Sequence, residues 1–332
     1  MKKRLQNTQL SVLDLVPVLF GKTAADAFKN GLDLAQHAEK FGYNRFWMSE
    51  HHNMQGVASS ATSILIGYIA GGTSTIRVGA GGIMLPNHAP LVVAEQFGTL
   101  ESLYANRIDL GLGRAPGTDQ LTSAALRRDM KGGQDFPQNV MELRNYFSAT
   151  NAASRVRAVP GEGLDIPVWL LGSSTYSAQL AGMLGLPFAF ASHFAPALLH
   201  TALKVYHDNF QPSASLQQPY VMAGVNVIAA DTDEAAENLA SSLYAFFLNV
   251  IRGTSNRLQP PVDIDTVWNE GEKQAVQQML GYSFIGSAAT IAPQLQNFID
   301  STQVDEIMVV SNIFDHAARV HSYKMLADLQ HN

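Results

Sequence analysis

The chain has 332 residues, of which 46% are hydrophobic and 15% are charged, and its formal net charge is −6. This composition excludes a disordered chain. The Lys and Arg residues are scattered and form no basic stripe of the kind that binds nucleic acid. No apolar run is long enough to span a membrane. The absence of cysteine excludes disulfides, thiolate nucleophiles and cysteine-ligated metals, and it favours a cytoplasmic protein.

Short apolar runs alternate with longer amphipathic stretches in the first half of the chain. Such an alternation predicts strands that are each followed by a helix. The predicted strands cover residues 10–15, 45–49, 76–83 and 107–112. The predicted helices cover residues 23–41, 59–70 and 91–104, and residues 118–146 are predicted to be mostly helical with breaks at Gly132-Gly133 and Pro137.

The same alternation continues to the end of the chain. The predicted strands cover residues 168–171, 188–191, 220–229 and 306–310, and the predicted helices cover residues 175–184, 195–209, 233–250, 288–299 and 315–329. Residues 252–285 are less regular and are interpreted as an insertion. Repeated strand–helix units imply parallel strands with right-handed crossovers, and eight of them favour a closed barrel. The fold class is therefore α/β, a (β/α)8 TIM barrel that forms a single domain over residues 1–332.

The second predicted strand ends in Glu50-His51-His52. In a (β/α)8 barrel the active site lies where the strands end, and a neutral imidazole there can bond a polar ring edge or act as a general base. We therefore expect His51 to be the catalytic residue. Two alternatives stay open: histidines with a purely structural role, and a metal site, which is disfavoured because adjacent histidines on an extended backbone point to opposite sides.

Glycines interrupt the third predicted strand at residues 79–82. Glycine weakens a strand unless something approaches the backbone closely. One interpretation is a flat, strained platform for a planar ligand, with a non-proline cis peptide as one form of that strain. The other is a β-bulge without a ligand, and the residues alone do not separate the two.

Arg114 follows the fourth predicted strand within the sequence Gly111-Leu112-Gly113-Arg114-Ala115-Pro116-Gly117. The run is similar to a dinucleotide-binding fingerprint, but a proline stands where the third glycine is needed, so the prediction of a Rossmann site is weak. An arginine at the end of a barrel strand can hold a phosphate by a charge-assisted hydrogen bond. The alternative is that Arg114 forms an ion pair on the surface.

A glycine and three hydroxyl residues follow the fifth predicted strand at residues 172–175 and lead into a helix. Free N–H groups at a helix N-terminus together with the hydroxyls of Ser173 and Ser174 favour an anion site there. The alternative is an ordinary Ser/Thr helix cap. Because Arg114 and this loop would lie on the same barrel face, the pattern favours a phosphorylated ligand.

Long strings of residues resemble the bacterial-luciferase-like flavin-dependent oxidoreductases, group 1, over roughly residues 8–325. The matching strings include residues 49–54, 82–88, 94–100, 107–117, 168–174, 188–194, 305–309 and 313–316. The resemblance implies a (β/α)8 barrel that binds FMN, with His51 beside the isoalloxazine ring. It implies a non-proline cis peptide at Gly81–Gly82 under that ring, and phosphate ligands at Arg114, Gly172, Ser173, Ser174 and Tyr176.

The function that the resemblance implies is an FMN-dependent monooxygenase. It would use reduced FMN, supplied by a separate flavin reductase, and O2 through a C4a-peroxyflavin to oxygenate a small organic substrate. The resemblance also implies a homodimer, and the apolar helix at residues 59–70 is consistent either with a dimer surface or with a helix that packs on the barrel. The alternatives are a deazaflavin-dependent hydride-transfer oxidoreductase and a flavin-binding protein without turnover.

Overall fold

A parallel β-barrel forms the centre of the protein. The computed structural model describes residues 3–127, 133–254 and 256–331. The strands in these ranges are β1 (Gln9–Asp14), β2 (Arg45–Met48), β3 (Arg77–Met84), β4 (Ile108–Gly113), β5 (Val168–Gly172), β6 (Phe188–Phe190), β7 (Val221–Ala229), β8 (Ser283–Gly286) and β9 (Glu306–Val310). Eight of them, β1 to β7 and β9, close the barrel, because β7 pairs with both β6 and β9. The predicted TIM-barrel fold is confirmed.

The helices lie outside this barrel. In the described ranges they are α1 (Ala24–Lys40), α2 (Thr62–Gly71), α3 (Pro90–Leu103), α4 (Gln120–Ala125), α5 (Phe136–Phe147), α6 (Thr175–Leu184), α7 (Leu199–Asn209), α8 (Asp233–Ile251), α9 (Glu270–Met279), α10 (Ala288–Thr302) and α11 (His316–Asp328). Local sequence sets their starts. Thr23 and Asp26 form a reciprocal capping box at α1, for example, which satisfies two backbone donors that the helix itself cannot pair.

The strands are buried on both faces, as parallel strands covered by helices must be. All nine residues of β7 are buried, for instance. Large side chains that fill the barrel interior include Leu13, Trp47, Trp169, Met222 and Met308. The barrel is therefore a packed core through most of its length, and only its ends are open to ligands.

The segment at residues 252–285 is more regular than the sequence predicted. It contains α9 and β8, and β8 pairs in parallel with the carboxyl-terminal half of β7, from Asn226 to Ala229. β8 lies on the same edge of β7 as β6, because β9 occupies the other edge. The strand was missed because four residues carry too little periodicity to be recognised, and it is defined by its pairing with β7.

Two helix predictions also need correction. The stretch at residues 118–146 forms two separate helices, α4 and α5; Gly132, one of the predicted breaks, lies outside the described residues. Pro137 does not break a helix but stands in the first turn of α5, where a missing N–H costs nothing. Helix α2 begins at Thr62, whose hydroxyl donates to the carbonyl of Ser59 at 2.9 Å. No described helix is both long and apolar enough to cross a bilayer.

Buried ion pairs lock the strands at the amino-terminal end of the barrel. We call Arg45, Arg77, Asp109 and Glu306 the amino-end cluster. Arg45 donates to Asp109 and to Glu306, at 2.8 Å in each case, and Arg77 donates to Asp109 at 2.6 Å. Both carboxylate side chains are fully buried. The cluster ties β2, β3, β4 and β9 together and leaves the opposite end free for other chemistry.

Candidate functional site

A cavity of about 260 Å³ opens at the carboxyl-terminal end of the barrel. Its wall receives side chains from the ends of five strands or from the loops that follow them: His51, Met84, Arg114, Ser173 and His193. In a parallel barrel all strand ends of one kind lie on one face, so residues far apart in the sequence meet there. The cavity therefore lies where the sequence predicted the active site.

His51 lies half-buried in this wall. Its Nδ1 is 3.4 Å from the carbonyl oxygen of Gly117, a long contact in which only the imidazole can donate. This arrangement leaves Nε2 with its lone pair and makes it the proton acceptor of the ring. Burial lowers the pKa of His51, so the ring is neutral at pH 7. A neutral imidazole with a free acceptor is suited to general-base chemistry.

Glu50 and His52 have a structural role. The Glu50 carboxylate accepts hydrogen bonds from His52 Nε2 at 2.9 Å, from His88 Nε2 at 2.9 Å and from the backbone N–H of Met84 at 2.9 Å. Burial would raise the pKa of Glu50, but the hydrogen bonds outweigh it, and the pKa is lowered. Glu50 is thus an ionised carboxylate that links the loops after β2 and β3 by hydrogen bonds and fixes the backbone next to His51.

The glycines of β3 form a bulge that faces the cavity. The pairing of β3 with β4 shifts between Ala80 and Ile83, so β3 holds one extra residue there. The Gly81–Gly82 peptide bond is cis, as predicted. A Cβ on Gly82 would lie 2.7 Å from the carbonyl oxygen of Gly111, which leaves no room for a side chain. A bulge is therefore present, and Gly81 and Gly82 line the cavity; the platform for a planar ligand stays a prediction.

Arg114 lies at the rim of the cavity and stacks on an aromatic ring. Its guanidinium carbon is 4.0 Å from the ring centroid of Tyr176. A cation over the face of a tyrosine is held in place electrostatically, and a guanidinium carries several N–H donors. Tyr176 does not line the cavity itself, so its contribution is to position Arg114.

The loop after β5 brings hydroxyls and backbone donors to the same rim. Gly172, Ser173 and Ser174 line the cavity, and α6 begins at the next residue. Ser174 occupies the N-cap position, but its side chain makes no capping hydrogen bond. The first N–H groups of a helix have no partner within the helix. This loop and Arg114 therefore bring several hydrogen-bond donors and one positive charge to the rim.

The sequence predictions missed three polar residues in the wall. Ser49 follows β2, His193 follows β6 and Ser177 lies in the first turn of α6; all three are buried. The missed signal for His193 is Gly224 in β7: a Cβ at that position would lie 2.4 Å from His193 Nδ1. A glycine in a central strand is an indication of such a close approach, but the sequence does not tell which side chain approaches.

Comparison with known proteins gives a consistent family assignment. The family model described as luciferase-like monooxygenase matches residues 9–306. A luciferase-like monooxygenase of Escherichia coli (strain K12) is 54% identical, with 96% of each chain covered. The N-acetyl-S-alkylcysteine monooxygenase of Bacillus subtilis (strain 168) is 31% identical, covering 96% of this chain and 97% of the relative.

Solved structures show the same architecture. The crystal structure of apo-MsnO8 has a TM-score of 0.90 and 34% identity, with 97% of this chain and 98% of that chain covered. The oxygenating constituent of 3,6-diketocamphane monooxygenase from Pseudomonas putida, in complex with FMN, has a TM-score of 0.73 at 17% identity, with 96% of each chain covered. An F420-dependent secondary alcohol dehydrogenase has a TM-score of 0.72 at 14% identity, covering 98% of this chain and all of that chain. At such low identity the last two show the fold alone.

Proposed function

The chain belongs to the luciferase-like monooxygenase family, and from this premise we propose that it is an FMN-dependent monooxygenase. It would use reduced FMN and O2 to insert one oxygen atom into a small organic substrate. The observation that carries the proposal is the convergence, in one cavity, of a glycine platform at Gly81–Gly82, the neutral imidazole of His51 and a rim of anion-binding donors beginning at Arg114.

The donor set fits the phosphate of FMN. Arg114, the hydroxyls of Ser173 and Ser174 and the free N–H groups at the start of α6 all donate. No carboxylate is found among the described residues that line the cavity, so nothing there would repel an anion. On this proposal Arg114, Gly172, Ser173 and Ser174 hold the phosphate, and Tyr176 orients the guanidinium.

The rest of the cavity fits a planar ring. The bulge at Gly81–Gly82 presents backbone without side chains, and apolar side chains such as Leu13 and Met308 cover the floor. When it is bound, reduced FMN supplies the two electrons with which one oxygen atom of O2 enters the substrate and the other leaves as water. The protein binds and orients the ring and excludes water from it.

His51 would control a proton in this site. With its Nδ1 proton directed at the Gly117 carbonyl, Nε2 can accept a proton from a reacting group and return it. Loss of this group is expected to leave FMN binding largely unchanged, because the phosphate donors lie elsewhere on the rim.

The assembly and cellular setting complete the proposal. We propose a homodimer, because α2 buries Ile66 and Ile69 against the barrel but leaves Ile64 73% and Tyr68 43% exposed. Apolar patches of this kind mark protein interfaces. A separate flavin reductase in the cytoplasm would supply reduced FMN, since a monooxygenase of this type carries no reductant of its own.

A rapid-mixing experiment tests the function. Purified protein with anaerobically reduced FMN is mixed with oxygenated buffer, and the absorption spectrum is followed. A transient species distinct from both reduced and oxidised FMN, formed by the native chain and by a His321→Ala control on the surface of α11, would support an oxygenase. Immediate appearance of free oxidised FMN would contradict it, and titration with the deazaflavin F420 would then test hydride transfer.

A further inference from the structure

His193 is buried in the cavity wall, and its ring has no hydrogen-bond partner among the described residues. It is 8% exposed; its Nδ1 lies against Gly224, fully buried and unpaired, so Nε2 is the ring nitrogen that a ligand in the cavity can reach. No hydrogen bond to either ring nitrogen is found among the residues that the structure describes. Leaving a buried polar atom unpaired costs about 1–3 kcal/mol, so a protein rarely keeps one that serves no purpose.

The backbone around His193 is held firmly by β7. The Asn226 side-chain amide donates to the carbonyl oxygen of His193 at 2.6 Å, and the Ser192 hydroxyl donates to the carbonyl oxygen of Gly224 at 2.6 Å. Gly224 leaves space for the ring, which also packs edge-to-face on Phe194 with centroids 4.9 Å apart. The ring is thus positioned in advance, while its hydrogen-bonding capacity remains unused by the described protein.

The charge of the cavity restricts what can bind next to this ring. Arg114 is the one residue with a permanent charge among the described residues that line the cavity. Burial, reinforced by the nearby His51, lowers the pKa of His193 to about 4, and burial lowers that of His51, so both rings are neutral at pH 7. If Arg114 holds the phosphate of FMN, a charged substrate would find no counter-charge in the wall, and burying an unpaired charge is costly.

We propose that the organic substrate is an uncharged molecule with a polar group on an apolar body, and that His193 is the specificity-determining residue that hydrogen-bonds this group. Met222, a flexible apolar side chain in the same wall, would contact the apolar body. This inference rests on the proposed function, because it assumes that FMN occupies the donors at the rim.

Three six-carbon probes that differ in charge test the inference. Hexanamide, hexanoate and hexylamine are titrated into the FMN-loaded protein, and binding is measured by calorimetry and by the flavin absorption spectrum. Hexanamide is expected to bind about tenfold more tightly than either charged probe, because neither charge can be paired. A hexanoate affinity equal to that of hexanamide, or failure of all three probes to bind, would overturn the proposed substrate class.

Two substitutions of His193 test whether its imidazole bonds the polar group of the probe. In His193→Phe the affinity for hexanamide should fall by about 2- to 13-fold, which corresponds to the loss of one net hydrogen bond. His193→Gln should keep that affinity within about twofold because the amide can still donate and accept. An unchanged affinity in the Phe variant would refute the role of His193.

The affinity for FMN, measured on the same samples by fluorescence titration, separates the inference from its premise. It should change little in either variant. Weaker FMN binding in His193→Phe, with hexanamide binding retained, would assign the ring to the cofactor and overturn the inference. If the native protein did not bind FMN at all, this result would contradict the proposed function itself.

Discussion

The two ends of the barrel hold polar groups in opposite ways. At the amino-terminal end a larger cavity, about 600 Å³, is lined by Arg45, Arg77 and Asp109, but these buried charges pair with one another or with Glu306. At the carboxyl-terminal end the cavity is less than half that size, and its described wall holds neutral imidazoles, hydroxyls and a single permanent charge, that of Arg114. The amino-terminal end has two exceptions among the described residues: the Trp169 indole N–H is buried and unpaired, and the half-buried Arg144 guanidinium has no partner in an ion pair or hydrogen bond.

On the proposed function, unused hydrogen-bonding capacity, more than volume, distinguishes the cavity that binds the ligands. A paired buried charge holds strands together and has little left to offer a ligand. Neutral groups held in place without partners cost stability and are kept where a ligand pairs them. Changes at the two ends should therefore have different consequences: loss of activity at one end and loss of stability at the other.

The largest effect should follow from His51→Ala. Loss of a general acid–base group lowers turnover by about 10²- to 10⁴-fold. Stability should change little, because among the described residues the ring makes a single hydrogen bond, a long one to the Gly117 carbonyl. Once a substrate is known, flavin oxidation and product formation measure turnover. Without a substrate, the decay rate of the transient flavin species is compared between the variant and the native protein. The exposed His321→Ala serves as control, and equal activity in both variants would remove His51 from the mechanism.

Asp109→Ala, at the amino-terminal end, should lower stability strongly. The variant leaves Arg45 buried with one carboxylate fewer and also removes the acceptor of the Trp47 indole N–H. Breaking a buried ion pair in this way costs about 3–5 kcal/mol in the free energy of unfolding. The shift of the urea midpoint measures this cost. Asp165→Ala, an exposed carboxylate of the same cavity, is the matched control and should shift stability by no more than about 0.5 kcal/mol.

Arg114→Ala should weaken FMN binding without unfolding the protein. A charge-assisted hydrogen bond contributes about 1.5–3 kcal/mol, so the dissociation constant should rise by about 13- to 160-fold. Fluorescence titration measures it. Arg155→Ala, an exposed arginine that lines neither cavity, is the control. If both variants bound FMN alike, the phosphate would have to lie elsewhere.

The smallest effect concerns stability in acid. The unfolded chain protonates His193 near pH 6.5, whereas the native protein resists protonation until about pH 4. The unfolded state therefore binds more protons in this window, and native stability falls as the pH falls through it. At pH 5 the loss from this residue should be roughly 2 kcal/mol. Urea unfolding at pH 7 and pH 5 should show a smaller loss in His193→Phe; equal losses would mean that the ring is not buried in neutral form.

Much of the fold follows from the sequence, because hydrophobic periodicity is a local property. The alternation of strands and helices predicted the barrel, and the bounds of α6 (Thr175–Leu184) and β9 (Glu306–Val310) agree with the structure residue for residue. The short strand β8 could not be predicted in the same way, because its identity depends on pairing with β7, which is about 55 residues away in the chain.

The candidate site was also predicted from the sequence only in part. Strand ends that carry His51, Arg114 and Ser173 could be recognised in the sequence, because parallel strands bring all their carboxyl ends to one face. Only the tertiary structure shows that Glu50 is an ionised carboxylate, that Tyr176 lies under a guanidinium, and that His193 is buried against Gly224. Burial and hydrogen-bond partners depend on contacts between distant segments, so local sequence determines which groups reach the site, and packing decides their charge and their freedom to bind.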